Sequence, residues 1–454
     1  MAERTIIDEL VERSRAAQQV IAEYSQEQID AIVRMFAKVV FDNAQELAKM
    51  ARDESGMGVY EDKVAKCQGK ARIIWHGLKG KKSVGIIEED PETGIAVLAK
   101  PMGVIGAATP CTNPVVTPMC NAMFAVKGAN AIIVAPHPRS KQCAKRLAEL
   151  YYEQLDAMNV PRDIFLIIEE PTIELTAELM KKADVVLATG GAGMVKSAYS
   201  SGKPSYGVGQ GNVQGIMDEN IDIPASVSRM IASRVFDNGI ICSGTQTIIA
   251  PKKDYDAIIA EFVKQGCYYV DDPAQVAKFR DALFPNGAIN KDAVGQSVQK
   301  CAELAGVEVP EGTKVIILKA DKCGREDYLS KEKMFPVMSS YAYDTFEEGV
   351  EIAKQNLLYE GAGHSVDIQS DNNEHIDYAG LTLPISRLLV NQICASQNGG
   401  AFSNALNPTT TLGCGSWGNN SISENLFYYH LINRSRIARV KPGWSQPSDE
   451  EIWG

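Results

Sequence analysis

The chain has 454 residues, with 46 Lys+Arg against 57 Asp+Glu, a net charge of −11 and 45% apolar residues. This is ordinary globular composition, and at roughly 150 residues per domain it predicts two or three domains. The acidic balance argues against a nucleic-acid or anionic-membrane binder, which needs a concentrated basic surface, and no apolar run approaches the roughly 18 residues of a membrane-spanning helix.

Early charges (Glu3, Arg4, Asp8, Glu9) stand where a signal peptide has its apolar core. Residues 6–80 read as helical. Ser25 followed by Gln28 is a capping-box pattern, and behind it Ile29, Ile32, Phe36 and Val39 recur at helical spacing. A further helix is predicted from residue 60 to about residue 78, carrying Lys63, Lys66 and Lys70. Between 83 and 99, VGII and IAVLA flank the turn-rich EEDPETG, which predicts a hairpin of the kind that pairs with another subunit. From 102 to 217 the apolar runs GVIGAA, AIIVA, IFLII and VVLA alternate with helical segments at 140–155 and 173–182. That alternation predicts a doubly wound parallel sheet, an α/β fold. The stretches TPCTN from Thr109, PHPRS from Pro136 and TGGAG from Thr189 fall at strand carboxyl ends, where such sheets bind ligands. From about Val235 the pattern restarts with TIIA, VIIL, PVMSSYAY and SVDI, predicting a second α/β unit. The tail ISENLFYYHLINRSRIARV predicts a helix and then a strand at RIARV.

Ten cysteines without a CxxC, and five histidines without ligand spacing, predict free thiols in a reducing cytoplasm and no metal site. The sharpest local feature is FDNGIICSGTQ around Cys242, where a thiolate near backbone N–H groups would have a lowered pKa. By composition alone a lone buried cysteine is usually a packed, inert one. TGGAG at Thr189–Gly193 suits a phosphate at a helix N-terminus, yet GxGxxG is absent and an ordinary tight turn reads as well. GVGQGN, residues 207–212, is a second glycine-rich stretch. Asn113, next to Pro114, is either a turn former or an amide aimed at an oxyanion.

Taken together these stretches resemble the aldehyde dehydrogenase superfamily, and within it the CoA-acylating branch. The likeness runs from MGVYEDKVAK at Met57 to the final EEIWG, through NPVVTPMCNAMFAVKG, IIVAPHPRSK, VVLATGGAGMVKSAYSSGKPSYGVG, FDNGIICS, KEKMFPV, GAGHSV and TLGCGSWGNNSISENL. It implies a Rossmann-type NAD(P)-binding domain over 1–234 with an oligomerisation hairpin at about 83–101. A catalytic domain over 235–420 and a C-terminal oligomerisation segment over 421–454 follow, in a homodimer or larger homo-oligomer. Cys242 matches the nucleophile. Asn113 matches the side chain that forms the oxyanion hole with the Cys242 N–H, and His364 matches a histidine of the acylating branch. Thr109 and Pro110, the segment His137, Pro138, Arg139 and Ser140, the turn Thr189, Gly190, Gly191 and Ala192, and Gly207 and Glu332 match positions around NAD or NADP. Hydrolytic members carry a glutamate where Gly207 stands. Its loss implies slow attack by water and leaves the acyl-enzyme to the thiol of coenzyme A. The implied reaction is reversible reduction of succinyl-CoA to succinate semialdehyde through a Cys242 thioester, with acetyl-CoA and acetaldehyde as the alternative pair. A microcompartment-associated or non-catalytic binding protein is the alternative of another class. Lys66, Lys70 and Ser243 are the candidates for a substrate carboxylate; for the two lysines the competing reading is plain surface charge. Thr245, where acylating relatives commonly show glutamate, and Phe335, where cysteine is common, depart from the pattern.

Overall fold

The computed structural model describes residues 4–454. Four helices open the chain, α1 (Ile6–Ile21), α2 (Gln26–Asp42), α3 (Ala44–Ser55) and α4 (Tyr60–Leu78). The Ser25 hydroxyl accepts from the Gln28 N–H while the Gln28 side chain accepts from the Ser25 N–H, which is the predicted capping box. Behind it Ile29, Ile32, Phe36 and Val39 lie on the buried face of α2. Phe36 meets Tyr151 edge-on at 4.7 Å, and Tyr151 meets Phe165 at 5.0 Å. Burying side chains of this size contributes about 2–3 kcal/mol each and holds the helices against the first sheet.

The predicted hairpin is β1 (Gly85–Asp90) and β2 (Ile95–Pro101), antiparallel, with a register shift between Ile86 and Glu88. Then come β3 (Val104–Ala108), α5 (Val116–Lys127), β4 (Ala131–Ala135), α6 (Lys141–Ala157), β5 (Phe165–Ile167), α7 (Ile173–Lys182), β6 (Val185–Thr189), α8 (Ala192–Tyr199) and β7 (Ser205–Val208). Strands β3 to β7 form a parallel sheet of order β5-β4-β3-β6-β7. The remaining strands are β8 (Gln214–Met217), β9 (Thr247–Pro251), β10 (Cys267–Val270), β11 (Val315–Lys319), β12 (Val337–Tyr343), β13 (Gly363–Gln369), β14 (Ile385–Val390) and β15 (Ile432–Ala438), with α9 (Ile223–Val235) after β8. β8 to β14 form a second parallel sheet of order β10-β11-β12-β9-β8-β13-β14. The chain therefore crosses from one sheet to the other between Val208 and Gln214, ahead of residue 234. The short apolar run of β8 pairs with β13, far ahead in sequence, so its sheet is decided by tertiary contact.

In the tail a single 3-10 turn, Tyr428–Leu431, replaces the expected helix before β15. Leu426, Phe427 and Leu431 are all buried in the first core, and Phe427 stacks edge-on against Phe124 at 5.4 Å, so the segment is held by its apolar anchors. β15 then pairs antiparallel with β2, making a third sheet of order β1-β2-β15.

The two parallel sheets set the chemistry between them. Loops leaving the carboxyl ends of β3, β4 and β6 carry Thr109–Asn113, His137–Ser140 and Thr189–Ala192. Loops entering the amino ends of β8, β9 and β12 carry Gly211, Cys242 and Glu332, and His364 is the second residue of β13.

Asn130 ties the hairpin, the first sheet and the tail together. Its Oδ1 accepts from Met102 N (2.6 Å) and Gly103 N (2.9 Å), and its Nδ2 donates to Ala125 O (3.0 Å) and Leu431 O (2.8 Å). The side chain is fully buried, so removal strands Met102 N, Gly103 N and Leu431 O, while Ala125 O keeps the Gly128 and Asn130 N–H groups. Asn130→Ala is expected to lower unfolding stability by about 3 kcal/mol or more, read as a fall in the urea midpoint at unchanged m-value.

Candidate functional site

The turn before Cys242 is strained and pinned. Asp237 and Asn238 both have φ 53, a left-handed conformation that non-glycine residues take at a cost. The Asp237 carboxylate is fully buried and accepts from Lys66 Nζ (2.7 Å), Lys63 Nζ (3.0 Å) and Val59 N (2.8 Å), while Asp237 N donates to Asp62 Oδ2 (2.7 Å). Burial alone would raise the Asp237 carboxyl, but Lys66 and Lys63 together hold it below its ordinary value. A Cβ on Gly58 would lie 2.0 Å from Asp237 Oδ1, so glycine is required where the loop before α4 passes this carboxylate.

Beyond the turn a cavity of about 390 Å³ opens, lined by Cys242, Asn113, Ser243, Lys66, Lys70 and the segment 395–402 among others. The structure thus brings together five of the residues singled out from sequence. The Lys66 ammonium is engaged by Asp237. Lys70 is placed differently: its Nζ donates to Gly399 O (3.0 Å) and Thr409 O (3.3 Å), both neutral. Loss of hydration lowers Lys70 to about 8. Ser243 Oγ donates to Ala395 O (3.2 Å), fastening the Cys242 loop to the opposite wall. Asn113 Oδ1 is buried without a hydrogen-bond partner.

Cys242 lies half-buried on this cavity. Loss of hydration pushes its thiol up to about 12, and Glu332 and Cys414 add to that; Arg387 and its own backbone N–H act the other way. The expected lowering by backbone N–H groups is therefore outweighed by desolvation. Gly211 packs against this residue so closely that a Cβ there would fall 2.0 Å from Cys242 O. The Gly211 N–H donates to Glu332 Oε1 (3.0 Å). Burial, with Glu360 nearby, raises the Glu332 carboxyl to about 8, and Glu332 N donates to Glu360 Oε2 (2.7 Å).

The other positions matched to the cofactor border the carboxyl edge of the first sheet. Thr109 N donates to Ala135 O (3.1 Å), joining the β3 and β4 loops, with Pro110 half-buried beside it. Gly191 is the N-cap of α8; Gly191 and Ala192 are exposed, and Thr189 Oγ1 is buried without a partner. His137 Nδ1 accepts from Arg139 N (3.1 Å), Arg139 Nη2 donates to Ser55 O (2.5 Å), and Ser140 is buried behind the exposed Pro138. Gly207 faces α8: its N–H donates to Tyr199 Oη (3.0 Å), and a Cβ would meet Val195 at 2.8 Å and Tyr199 at 2.9 Å. His364 is fully buried with both ring nitrogens unpartnered, and burial together with Arg387 pulls it down to about 3, so the ring is neutral.

Several residues escaped the sequence reading. Asp237 is one; its signal was the Asp-Asn-Gly turn. Asp367 is another: Thr245 Oγ1 donates to Asp367 Oδ2 (2.7 Å), so at Thr245 a carboxyl is supplied from β13 instead of from the residue itself. Burial raises this carboxyl to about 7. Arg387 is the third, a buried charge in the strand ISRLLV. Phe335 packs against Phe284 at 5.9 Å.

A cysteine-bearing loop, an amide and a glutamate held between two parallel α/β sheets define a class. Residues 1–403 match the model of the aldehyde dehydrogenase family, and the chain belongs to that family. The chain is 56% identical over 454 residues, all of both proteins, to the succinate-semialdehyde dehydrogenase (acetylating) of Clostridium kluyveri. It is 40% identical over 451 residues, 98% of this chain and 93% of the relative, to a sulfoacetaldehyde dehydrogenase of an Acholeplasma species. Its fold superposes with a TM-score of 0.93 on the crystal structure of an acetylating aldehyde dehydrogenase from Geobacillus thermoglucosidasius, at 35% identity and 98% coverage of each chain.

Asp237→Asn leaves two lysines competing for a neutral amide. Breaking a buried ion pair by removing one partner costs about 3–5 kcal/mol, and that loss is expected in the unfolding free energy from chemical denaturation, with a fall in turnover as the Cys242 turn loosens.

Proposed function

We propose that this chain is a CoA-acylating aldehyde dehydrogenase whose substrate pair is succinyl-CoA and succinate semialdehyde. The observation that carries the reading is the Lys70 ammonium, set on the wall of the Cys242 cavity and hydrogen-bonded to two carbonyls. A carboxylate entering the cavity meets a cation that spends no binding energy on leaving an acid partner. The two relatives named above act, by their names, on succinate semialdehyde and sulfoacetaldehyde, both aldehydes with a second, anionic group.

The residues present suit a nicotinamide dinucleotide. The exposed N-terminus of α8 offers N–H groups to a pyrophosphate, Thr189 Oγ1 has an unused hydrogen-bonding position, and Glu332 offers a carboxyl to a ribose. Bound there, NAD or NADP supplies or takes the hydride. His137 and Arg139 are the basic side chains of the segment 136–140; either they accept the 2′-phosphate of NADP or they face solvent, and Arg139 already donates to Ser55 O.

The chain's own residues do the rest. In the reductive direction Cys242 Sγ, as thiolate, forms a bond to the acyl carbon of succinyl-CoA, and the CoA thiolate leaves with the electron pair. Asn113 and the Cys242 N–H donate to the oxygen on which negative charge develops. Lys70 holds the far carboxylate. Reduction of the Cys242 thioester then gives the thiohemiacetal, and its collapse releases the aldehyde and restores the thiol. At 207 a glycine packed against Val195 and Tyr199 stands in place of a carboxylate base, which spares the thioester from water. His364, neutral, fully buried and unpartnered, is read either as a group that assists CoA or proton handling or as a structural one.

A homodimer is supported by the third sheet. β15 pairs on one side with β2, and Ile437, Val440 and Trp444 are exposed at and beyond it. The ten unpaired cysteines support a reducing, cytoplasmic setting, and no helix among the described residues is long and apolar enough to cross a membrane.

NADH and NADPH oxidation with succinyl-CoA and with acetyl-CoA tests the reading. Cys242→Ala is expected to abolish both. Lys70→Met is expected to lower kcat/KM for succinyl-CoA roughly 10- to 150-fold, the worth of one hydrogen bond to a charged group, with acetyl-CoA unaffected. Because Lys70 loses its proton near pH 8, wild-type kcat/KM for succinyl-CoA is expected to fall as pH rises through 8 and to lose that limb in Lys70→Met. Equal use of acetyl-CoA by the wild type overturns the substrate assignment. Light scattering is expected to give at least twice the 49.3 kDa of one chain.

A further inference from the structure

Three loops meet next to the Cys242 main chain, and one side chain joins them. They are residues 209–213 between β7 and β8, residues 330–333 ahead of β12, and residues 360–362, which lead from the helix Phe346–Tyr359 into β13. Glu360 is the first residue after that helix, and its extended backbone (φ −156, ψ 135) turns the chain out of it. The Glu360 side chain is 16% exposed. Its Oε2 accepts from Glu332 N (2.7 Å) and its Oε1 from Gln210 Nε2 (3.2 Å). Lys331 supplies a cation nearby, but its Nζ stands 3.7 Å from Oε1 and donates to Gly287 O (2.8 Å). The shortest contact of this carboxylate is therefore a backbone N–H, and that N–H belongs to Glu332.

The joining of the loops does not depend on this contact. Asn212 Nδ2 already ties them, donating to Ser330 O (2.7 Å) and Glu360 O (2.9 Å). Gly361 (φ +97) comes so close that a Cβ there would lie 2.5 Å from the Asn212 Cβ. What the Glu360 side chain adds is control of one residue. Glu332 is 5% exposed, and its Oε1 accepts from the N–H of Gly211 (3.0 Å), the glycine pressed against Cys242 O. Among the described residues no donor reaches Glu332 Oε2, which leaves that oxygen for a ligand hydroxyl. Gly211 holds the carboxyl end of Glu332 and Glu360 holds its main chain, so the side chain is fixed at both ends. Hydride must reach the carbon bound to Cys242 Sγ, so a ribose beside this loop is the one that carries the nicotinamide.

We propose that Glu360 is the positioning residue of the nicotinamide ribose site: by holding the Glu332 N–H it sets the direction of the Glu332 carboxyl, and with it the grip on the ribose hydroxyls. This rests on the reading of Glu332 as the ribose-binding group. Glu360 acts through Glu332 and needs no contact with the cofactor.

The test is cofactor binding to the substrate-free enzyme. It is read from the fluorescence change of NADH or NADPH, whichever the wild type holds more tightly, with ADP titrated as a displacing ligand. ADP has the adenosine and both phosphates but no second ribose. Glu360→Ala is expected to raise the Kd of the reduced cofactor about tenfold, the effect of one lost hydrogen bond, and to leave that of ADP within about twofold. Glu360→Gln keeps an oxygen for Glu332 N, and the Gln210 amide can turn its own oxygen to the new N–H group, so this variant is expected to stay within about threefold of wild type. An unmoved Kd in Glu360→Ala, an equal loss for ADP, or binding in Glu360→Gln as weak as in Glu360→Ala overturns the proposal. Glu332→Ala separates the two readings. If it weakens the reduced cofactor and Glu360→Ala does not, Glu360 alone loses its role. If neither variant changes binding, Glu332 does not hold the ribose and both readings fall. If circular dichroism shows Glu360→Ala unfolded, Glu360→Asp decides, because the acid stays and one methylene is removed. A Kd raised about threefold or more then supports the proposal, and an unmoved one overturns it.

Discussion

The ion cluster at Asp237 is the contact on which the site depends. One carboxylate without solvent exposure receives two ammonium groups from α4 and one N–H from the residue before it. Taking such a group out of water costs several kcal/mol, returned only when every lone pair is met. Here the return is positional. The same carboxylate belongs to the left-handed turn that delivers Cys242, and α4 is the helix that carries Lys70. The cluster therefore ties the Cys242 turn to the helix that carries Lys70, across a sequence separation of about 170 residues. A helix and a loop from different ends of the chain act as one wall because a charge with no other partner joins them.

The charges around the cavity follow a pattern. Lys63 and Lys66 share an acid; Lys70 has none. The acids nearest Cys242 are held in the opposite sense, with Glu332 raised by burial beside Glu360. The centre accordingly carries positive charge with no resident anion to match. That is costly in the empty molecule and favourable once an anion forms there, which is how binding energy becomes available at the reacting atoms and not before.

Much of this was legible in the sequence, for identifiable reasons. Periodicity and turn chemistry are local, so the capping box at Ser25, the hairpin around EEDPETG and the strands GVIGAA, AIIVA and VVLA stand where their patterns put them. Cys242 and Asn113 meet on one cavity because they sit on loops at facing sheet edges, a pairing that the family resemblance implied and that local pattern did not. Long-range pairing was not legible. β8 belongs to the second sheet through β13, the tail before β15 is held by buried Phe427 and Leu431 instead of by a helix, and Lys66 and Lys70, one turn apart on α4, differ only in what lies opposite them. No spacing rule separates a lysine facing an aspartate from one facing two carbonyls.

The glycines at 207 and 211 show how the same backbone serves two ends. At 211 the approach of the Cys242 carbonyl forbids any side chain, so the loop after β7 is a support pressed against the Cys242 main chain. At 207 Val195 and Tyr199 occupy the space that a side chain would need, and the Tyr199 hydroxyl is bound by the Gly207 N–H on one side and the Ser421 N–H on the other. A glutamate at 207 would thus have to displace α8 or the segment around Ser421, not merely fill a void. The absence of a water-activating carboxylate is built into the packing of α8 against β7. A glycine at 207 and the tight packing of α8 on the first sheet are one structural fact, because Val195 and Tyr199 have filled the place that a carboxylate there would need.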